Sequence, residues 1–148
     1  MSLDKFRRAF RIKGPLRLES AGSVRGSAIV TDDATRTLVT IESGALVVAT
    51  KTSSTQTFTL PAATEAGCTF TFKVGNGAEA GEIKIDPAGS DVIQCKATND
   101  SGAEVRTAGG TGIKNTAATN VDGDYITLVA DGVITWHTVA QSGIWASQ

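Results

Sequence analysis

The sequence predicts an all-β protein, an antiparallel β-sandwich or jelly roll that carries an extended N-terminal arm. Three observations predict it. Of 148 residues, 20 are threonine and 16 are glycine, while aromatics make up 5%. Thr favours strands and Gly favours turns. Short apolar–polar alternations recur through the chain, each bounded by Gly, Pro, Asn or Asp. No long helical period runs through the body. The length suits a single core-bearing domain, with residues 1–28 as arm and linker and residues 29–148 as the β-sandwich body.

Taken in order, Leu3, Phe6, Phe10 and Lys13 share one helical stripe, with Phe6 and Phe10 four residues apart. Ser2 would cap this short amphipathic helix and Gly14-Pro15 would end it. Residues 14–28 read as an extended linker, with a short strand at Leu16–Leu18. The body offers strands at Thr37–Glu42, Ala45–Thr50 and Thr57–Leu60, the last stopped by Pro61. Cys68–Val74 alternates, with Cys68, Phe70, Phe72 and Val74 on one face. Gly75-Asn76-Gly77 is a turn. Glu82–Asp86 and Asp91–Lys96 are further strands. Asn99–Asn120 reads as a long loop or as two short edge strands around Val105 and Ile113. Tyr125–Ala130 and Val133–Val139 form a hairpin, for which Asp131-Gly132 predicts a two-residue type I′ turn. That makes eight to ten strands, and the lack of a tandem repeat disfavours a propeller or solenoid.

The net charge of −1 conceals a division. Residues 1–25 hold seven bases (Lys5, Arg7, Arg8, Arg11, Lys13, Arg17, Arg25) and two acids (Asp4, Glu19), which is +5; the remainder holds seven bases and thirteen acids, which is −6. A basic arm therefore precedes an acidic body, and such an arm meets a partner of opposite sign. Two of the five phenylalanines lie in the arm, outside any core. They mark a docking element rather than a frayed tail.

Chemistry is sparse. His137 is the only histidine, and nothing in its pattern names a nucleophile or an orienting acid. Cys68 and Cys95 read as core thiols, with a disulfide between them as the alternative. Asp122-Gly123-Asp124 lacks the ligand series of a calcium loop. Asp32-Asp33, Asp100 and Asp131 are turn acids that bond their own backbone. Gly109-Gly110-Thr111-Gly112-Ile113-Lys114 lacks the order and context of a phosphate-binding loop. No apolar run approaches the ~20 residues of a membrane helix, and the basic start leads into Gly14-Pro15 rather than into a secretory leader. The expectation is a protein without enzymatic activity, cofactor, metal, membrane span or specific nucleic-acid site.

One resemblance extends this reading. Thr57-Phe58-Thr59-Leu60-Pro61-Ala62-Ala63 is followed by Gly67-Cys68-Thr69-Phe70-Thr71-Phe72-Lys73-Val74, then by Gly81-Glu82-Ile83-Lys84-Ile85, Gly89-Ser90-Asp91-Val92-Ile93 and Gly123-Asp124-Tyr125-Ile126-Thr127-Leu128-Val129-Ala130. Over roughly residues 40–148 this order resembles small phage capsid decoration or cement proteins and related head-fibre bases. The resemblance implies a sandwich that assembles as a trimer, or else a dimer, on the outer capsid surface of a virion and clamps the major capsid protein. Phe6, Phe10 and Ile12 would then anchor the arm, and Arg7, Arg8, Arg11 and Lys13 would pair with acidic patches. Ile144 and Trp145, beyond the last regular strand, pack on the body or on a neighbouring copy. The alternative is a phage tail or head fibre domain that binds a host-surface glycan, with Trp136, Trp145 and Tyr125 as stacking faces.

Overall fold

The computed structural model of the chain describes residues 28–31, 33–50, 54–75, 81–95, 105–116 and 118–148. Twelve strands are described: β1 Ala28–Thr31, β2 Thr35–Thr37, β3 Ala45–Ala49, β4 Gln56–Thr59, β5 Thr69–Val74, β6 Ile83–Asp86, β7 Val92–Cys95, β8 Val105–Arg106, β9 Ile113–Asn115, β10 Tyr125–Ala130, β11 Thr135–Ser142 and β12 Ala146–Ser147. They form a seven-stranded sheet in the order β1-β3-β5-β10-β11-β7-β8 and a five-stranded sheet in the order β12-β9-β6-β4-β2.

The all-β expectation holds, but its antiparallel part needs correction. The pairs β1–β3, β3–β5, β2–β4, β4–β6 and β7–β11 are parallel. Both sheets are therefore mixed, and the jelly-roll arrangement is not what the described strands show. The connectivity is the reason. From β1 to β6 the chain alternates between the sheets, so each strand returns beside its predecessor pointing the same way. A parallel pair needs a crossover of about a dozen residues or more. Here the strand laid in the other sheet supplies it: residues 32–44 separate β1 from β3 and include β2.

Alternation within the strands builds one core between the sheets. On β5, Phe70, Phe72 and Val74 are buried while Thr69, Thr71 and Lys73 face outwards. Ala45, Val47 and Ala49 of β3 and Ile126, Leu128 and Ala130 of β10 extend this inner face. The five-stranded sheet contributes Phe58, Ile83, Ile85 and Ile113. The Phe58 and Phe72 rings meet across the interior with centroids 5.5 Å apart, and Phe70 stands 6.0 Å from Trp136. The two outer faces differ. Thr71 and Thr127 hydroxyls pair at 2.9 Å on the larger sheet, whereas Glu82 bridges Lys84 and Lys114 on the smaller one.

Three local expectations change. Thr37–Glu42 is not a strand: β2 ends at Thr37 and a 3₁₀ turn covers Thr40–Glu42. The Glu42 carboxylate accepts the Val39 N–H at 3.0 Å and the Arg36 guanidinium at 2.7 Å, which closes the backbone where it must cross between sheets. The region around Ile113 is not an edge: β9 pairs with β6 on one side and β12 on the other. The β10–β11 hairpin is present, but Ala130 pairs with Trp136 and the Asp131 N–H donates to Thr135. The loop is thus Gly132-Val133-Ile134 rather than a two-residue turn. Gly132 has φ 88°, and a Cβ there would press on Ala66 of the adjoining turn, so this glycine serves both a backbone conformation and a close approach.

Cys68 and Cys95 are both buried free thiols. Cys68 directly precedes β5, while Cys95 lies on β7, three strand positions away in the sheet. At about 4.8 Å per strand that is roughly 14 Å, beyond the span of a disulfide. Burial pushes the Cys68 thiol up and that of Cys95 up to about 11. Both thiols stay protonated and poorly reactive at neutral pH. The expected result is no labelling by a thiol reagent in the folded protein and labelling of both cysteines after denaturation.

Candidate docking surface at one end of the sandwich

The sandwich has two unlike ends. At one of them the chain passes from the smaller sheet to the larger: β2 leads to β3 through residues 38–44, β4 to β5 through 60–68 and β6 to β7 through 87–91. The β10–β11 loop lies at this same end. Backbone hydrogen bonds tie these turns together. Gly44 N–H donates to Thr69, Gly67 N–H to Ala130 and Val92 N–H to Ile134, while Thr69 N–H donates to the Ser43 hydroxyl at 3.1 Å.

Two pairs of large aliphatic side chains are exposed at this end, one in the β2–β3 connection and one in the β10–β11 loop. Ile41 is 76% exposed, Val133 71%, Val39 50% and Ile134 41%. The other two exposed large hydrophobics among the described residues, Val121 and Val139, lie elsewhere. Val139 occupies the β-bulge where the β10–β11 register shifts, between Thr138 opposite Leu128 and Ala140 opposite Thr127. Clustered exposed apolar side chains point to a docking surface, whereas scattered ones do not.

Acids occur in the same connections. Glu42, paired with Arg36, follows Ile41, Asp131 precedes the Gly132-Val133-Ile134 loop, and Glu65 is exposed in the 60–68 turn. Asp91 is turned inwards, where it accepts the Ala63 N–H at 2.7 Å. One Asp131 oxygen accepts the N–H groups of Val133, Ile134 and Thr135 at 2.7–3.0 Å. These bonds, that from Thr135 first and Val133 next, lower the Asp131 carboxyl to about 2. Its folded value lies below the unfolded 3.8, so its stabilisation is complete above about pH 4 and is lost as the pH falls towards 2. Asp131→Ala is expected to melt below the parent protein at pH 6, and the gap should close as both are titrated to pH 2. A gap of constant size across that range would show that the carboxylate does not hold the loop.

The residues singled out by sequence separate into three groups. Phe6, Arg7, Arg8, Phe10, Arg11, Ile12 and Lys13, with the helix and the Leu16–Leu18 strand expected near them, lie outside the described residues. Trp145 takes the body rather than a neighbour: it is fully buried and its indole N–H donates to the Ser142 carbonyl at 3.0 Å. Trp136 is equally buried, so neither tryptophan offers a stacking face, and Tyr125 is left half-exposed without them. Ile144 is partly exposed, and its carbonyl accepts a bond from Asn115 at 3.1 Å. His137 lies outward of Trp136 on β11 and comes within 3.9 Å of Asp131. Asp124 is buried and accepts bonds from Val121 N–H and the Asn115 amide, which gives it a role in holding the turn before β10. Among the described residues, no three His, Cys, Asp or Glu side chains gather as metal ligands.

Sequence reading missed the apolar end because its members were assigned to strands. Val39 and Ile41 look like strand residues within Thr37–Glu42, and Val133 and Ile134 like the start of the returning hairpin strand. Residue order carries no signal for the wider loop, because Asp131-Gly132 fits a two-residue turn and the three N–H groups that Asp131 caps come together only in the fold. No known protein family matches the chain, and no curated protein matches it.

Proposed function

We propose that this chain is a non-enzymatic structural protein of a phage virion, which decorates the outer capsid surface and cements the major capsid protein with its basic, aromatic-bearing arm. The observation that carries the reading is the charge division, +5 in residues 1–25 against −6 in the rest, joined to a β-sandwich body. The resemblance of residues 40–148 to cement proteins, read from residue order, is what suggests a capsid shell as the partner. Self-association, with a trimer first and a dimer second, multiplies weak arm contacts into lasting attachment when many copies sit on one lattice. Ile144 remains the candidate for a contact between copies. A fibre domain binding a host glycan is the weaker reading, because two of its three stacking residues are buried.

Deleting residues 2–14 tests the arm. The truncated protein is expected to melt like the parent yet to lose co-sedimentation with purified phage capsids. Binding by the full chain should weaken as salt rises, as attachment through exposed charges requires. Truncated protein that saturates capsids with the parent's affinity would remove the arm from the mechanism.

A further inference from the structure

The exposed apolar end and the arm are matched in three respects. The first is position. Residue 27 joins β1 at Ala28, which pairs in parallel with Leu46 one residue into β3. The arm therefore leaves the body at the end that carries Val39, Ile41, Val133 and Ile134, beside the Ser43-Gly44 turn. The second is charge. The end bears Glu65 and Asp131, with Glu42 already paired to Arg36, and the arm bears Arg7, Arg8, Arg11 and Lys13. The third is surface type. The body exposes four aliphatic side chains at this end, and the apolar residues of the arm include Phe6, Phe10 and Ile12.

Reach decides which copy's arm is favoured. Residues 14–27 span up to roughly 46 Å when extended. The β3 turn and the β10–β11 loop are two to three strand positions apart, roughly 10–14 Å. A tether of that length holds the arm at its own end at an effective concentration of about millimolar, well above the concentration of free copies in a dilute solution. We propose that residues 2–13 dock on the apolar, acid-bearing end of the same chain, with Phe6, Phe10 and Ile12 covering Val39, Ile41, Val133 and Ile134. This inference does not depend on the capsid reading. If both hold, a shell partner must displace the arm from the body before the arm can clamp it.

The test uses the free protein with no capsid present. Methyl NMR signals of Val39, Ile41, Val133 and Ile134 are compared between the full chain and a chain lacking residues 2–13. They are expected to differ, and a synthetic peptide of residues 1–13 added to the truncated chain should restore them. Its affinity should fall about tenfold from low to high salt. The full-chain signals should not change with protein concentration. Ile41→Asp with Val133→Asp, at exposed positions where the fold tolerates substitution, should release the arm in the full chain and abolish peptide binding. Identical signals in full and truncated chains would overturn the proposal. So would signals that move with concentration together with a doubled or tripled solution mass, which would seat another copy on the end instead. Failure here leaves the capsid co-sedimentation result standing, so the two readings fail separately.

Discussion

Trp145→Ala is expected to lower stability by about 3–5 kcal/mol, the usual cost of removing a large aromatic side chain from a core. For a chain of this size that corresponds to a fall in Tm of roughly 6–20 °C. The physical reason is that the C-terminal segment is part of the interior. Trp145 is fully buried, its indole N–H is bonded to Ser142, and the next two residues form β12 against β9. The substitution opens a cavity and loosens the edge of the smaller sheet together. Thermal unfolding by circular dichroism measures the loss, and light scattering on the same samples should give an unchanged mass. Unchanged melting would place the indole outside the core, and a fall in mass at constant melting would assign it to an interface between copies.

Phe72→Ala is expected to cost at least as much, about 3–5 kcal/mol for the cavity and about 0.5–1.5 kcal/mol more for lost aromatic geometry. Phe72 lies between Phe58 of the opposite sheet at 5.5 Å and Phe70 of its own strand at 6.5 Å. It is thus a point at which the two sheets are held together. Against a total stability of about 5–15 kcal/mol for a typical domain, the loss places the variant near the limit of folding. Thr71→Ala, one residue away on the outer face, removes only the hydroxyl pair with Thr127 and should cost about 0.5–1.5 kcal/mol. Urea unfolding of both variants checks the contrast. Equal losses would contradict the assignment of the two residues to opposite faces.

Much of this was legible from residue order. The alternation of Cys68–Val74 gave the buried and exposed faces of β5 without error, because side chains alternate across any strand. The patterns at Ala45–Thr50, Thr57–Leu60, Glu82–Asp86 and Asp91–Lys96 lie within a residue or two of β3, β4, β6 and β7. Position 29 as the start of the body falls within β1. The apolar end was not legible. Val39, Ile41, Val133 and Ile134 are separated by about ninety positions in sequence, and each pair taken alone looks like strand.

By itself the sequence determined the β class, the inward faces of the main strands, the hairpin near the C-terminus and the opposition of charge between arm and body. These follow from interactions between neighbours: period, turn chemistry and composition. Only the tertiary structure decided that half the described strand pairs run parallel, that Trp145 belongs to the core, that Cys68 and Cys95 stand three strands apart, and that two exposed aliphatic pairs lie at the same end. Alternation is the same whether a strand pairs parallel or antiparallel, and burial depends on what the rest of the chain lays over a residue. Both are set by which sheet the chain enters at each crossover, and that is fixed by the packing of the whole interior.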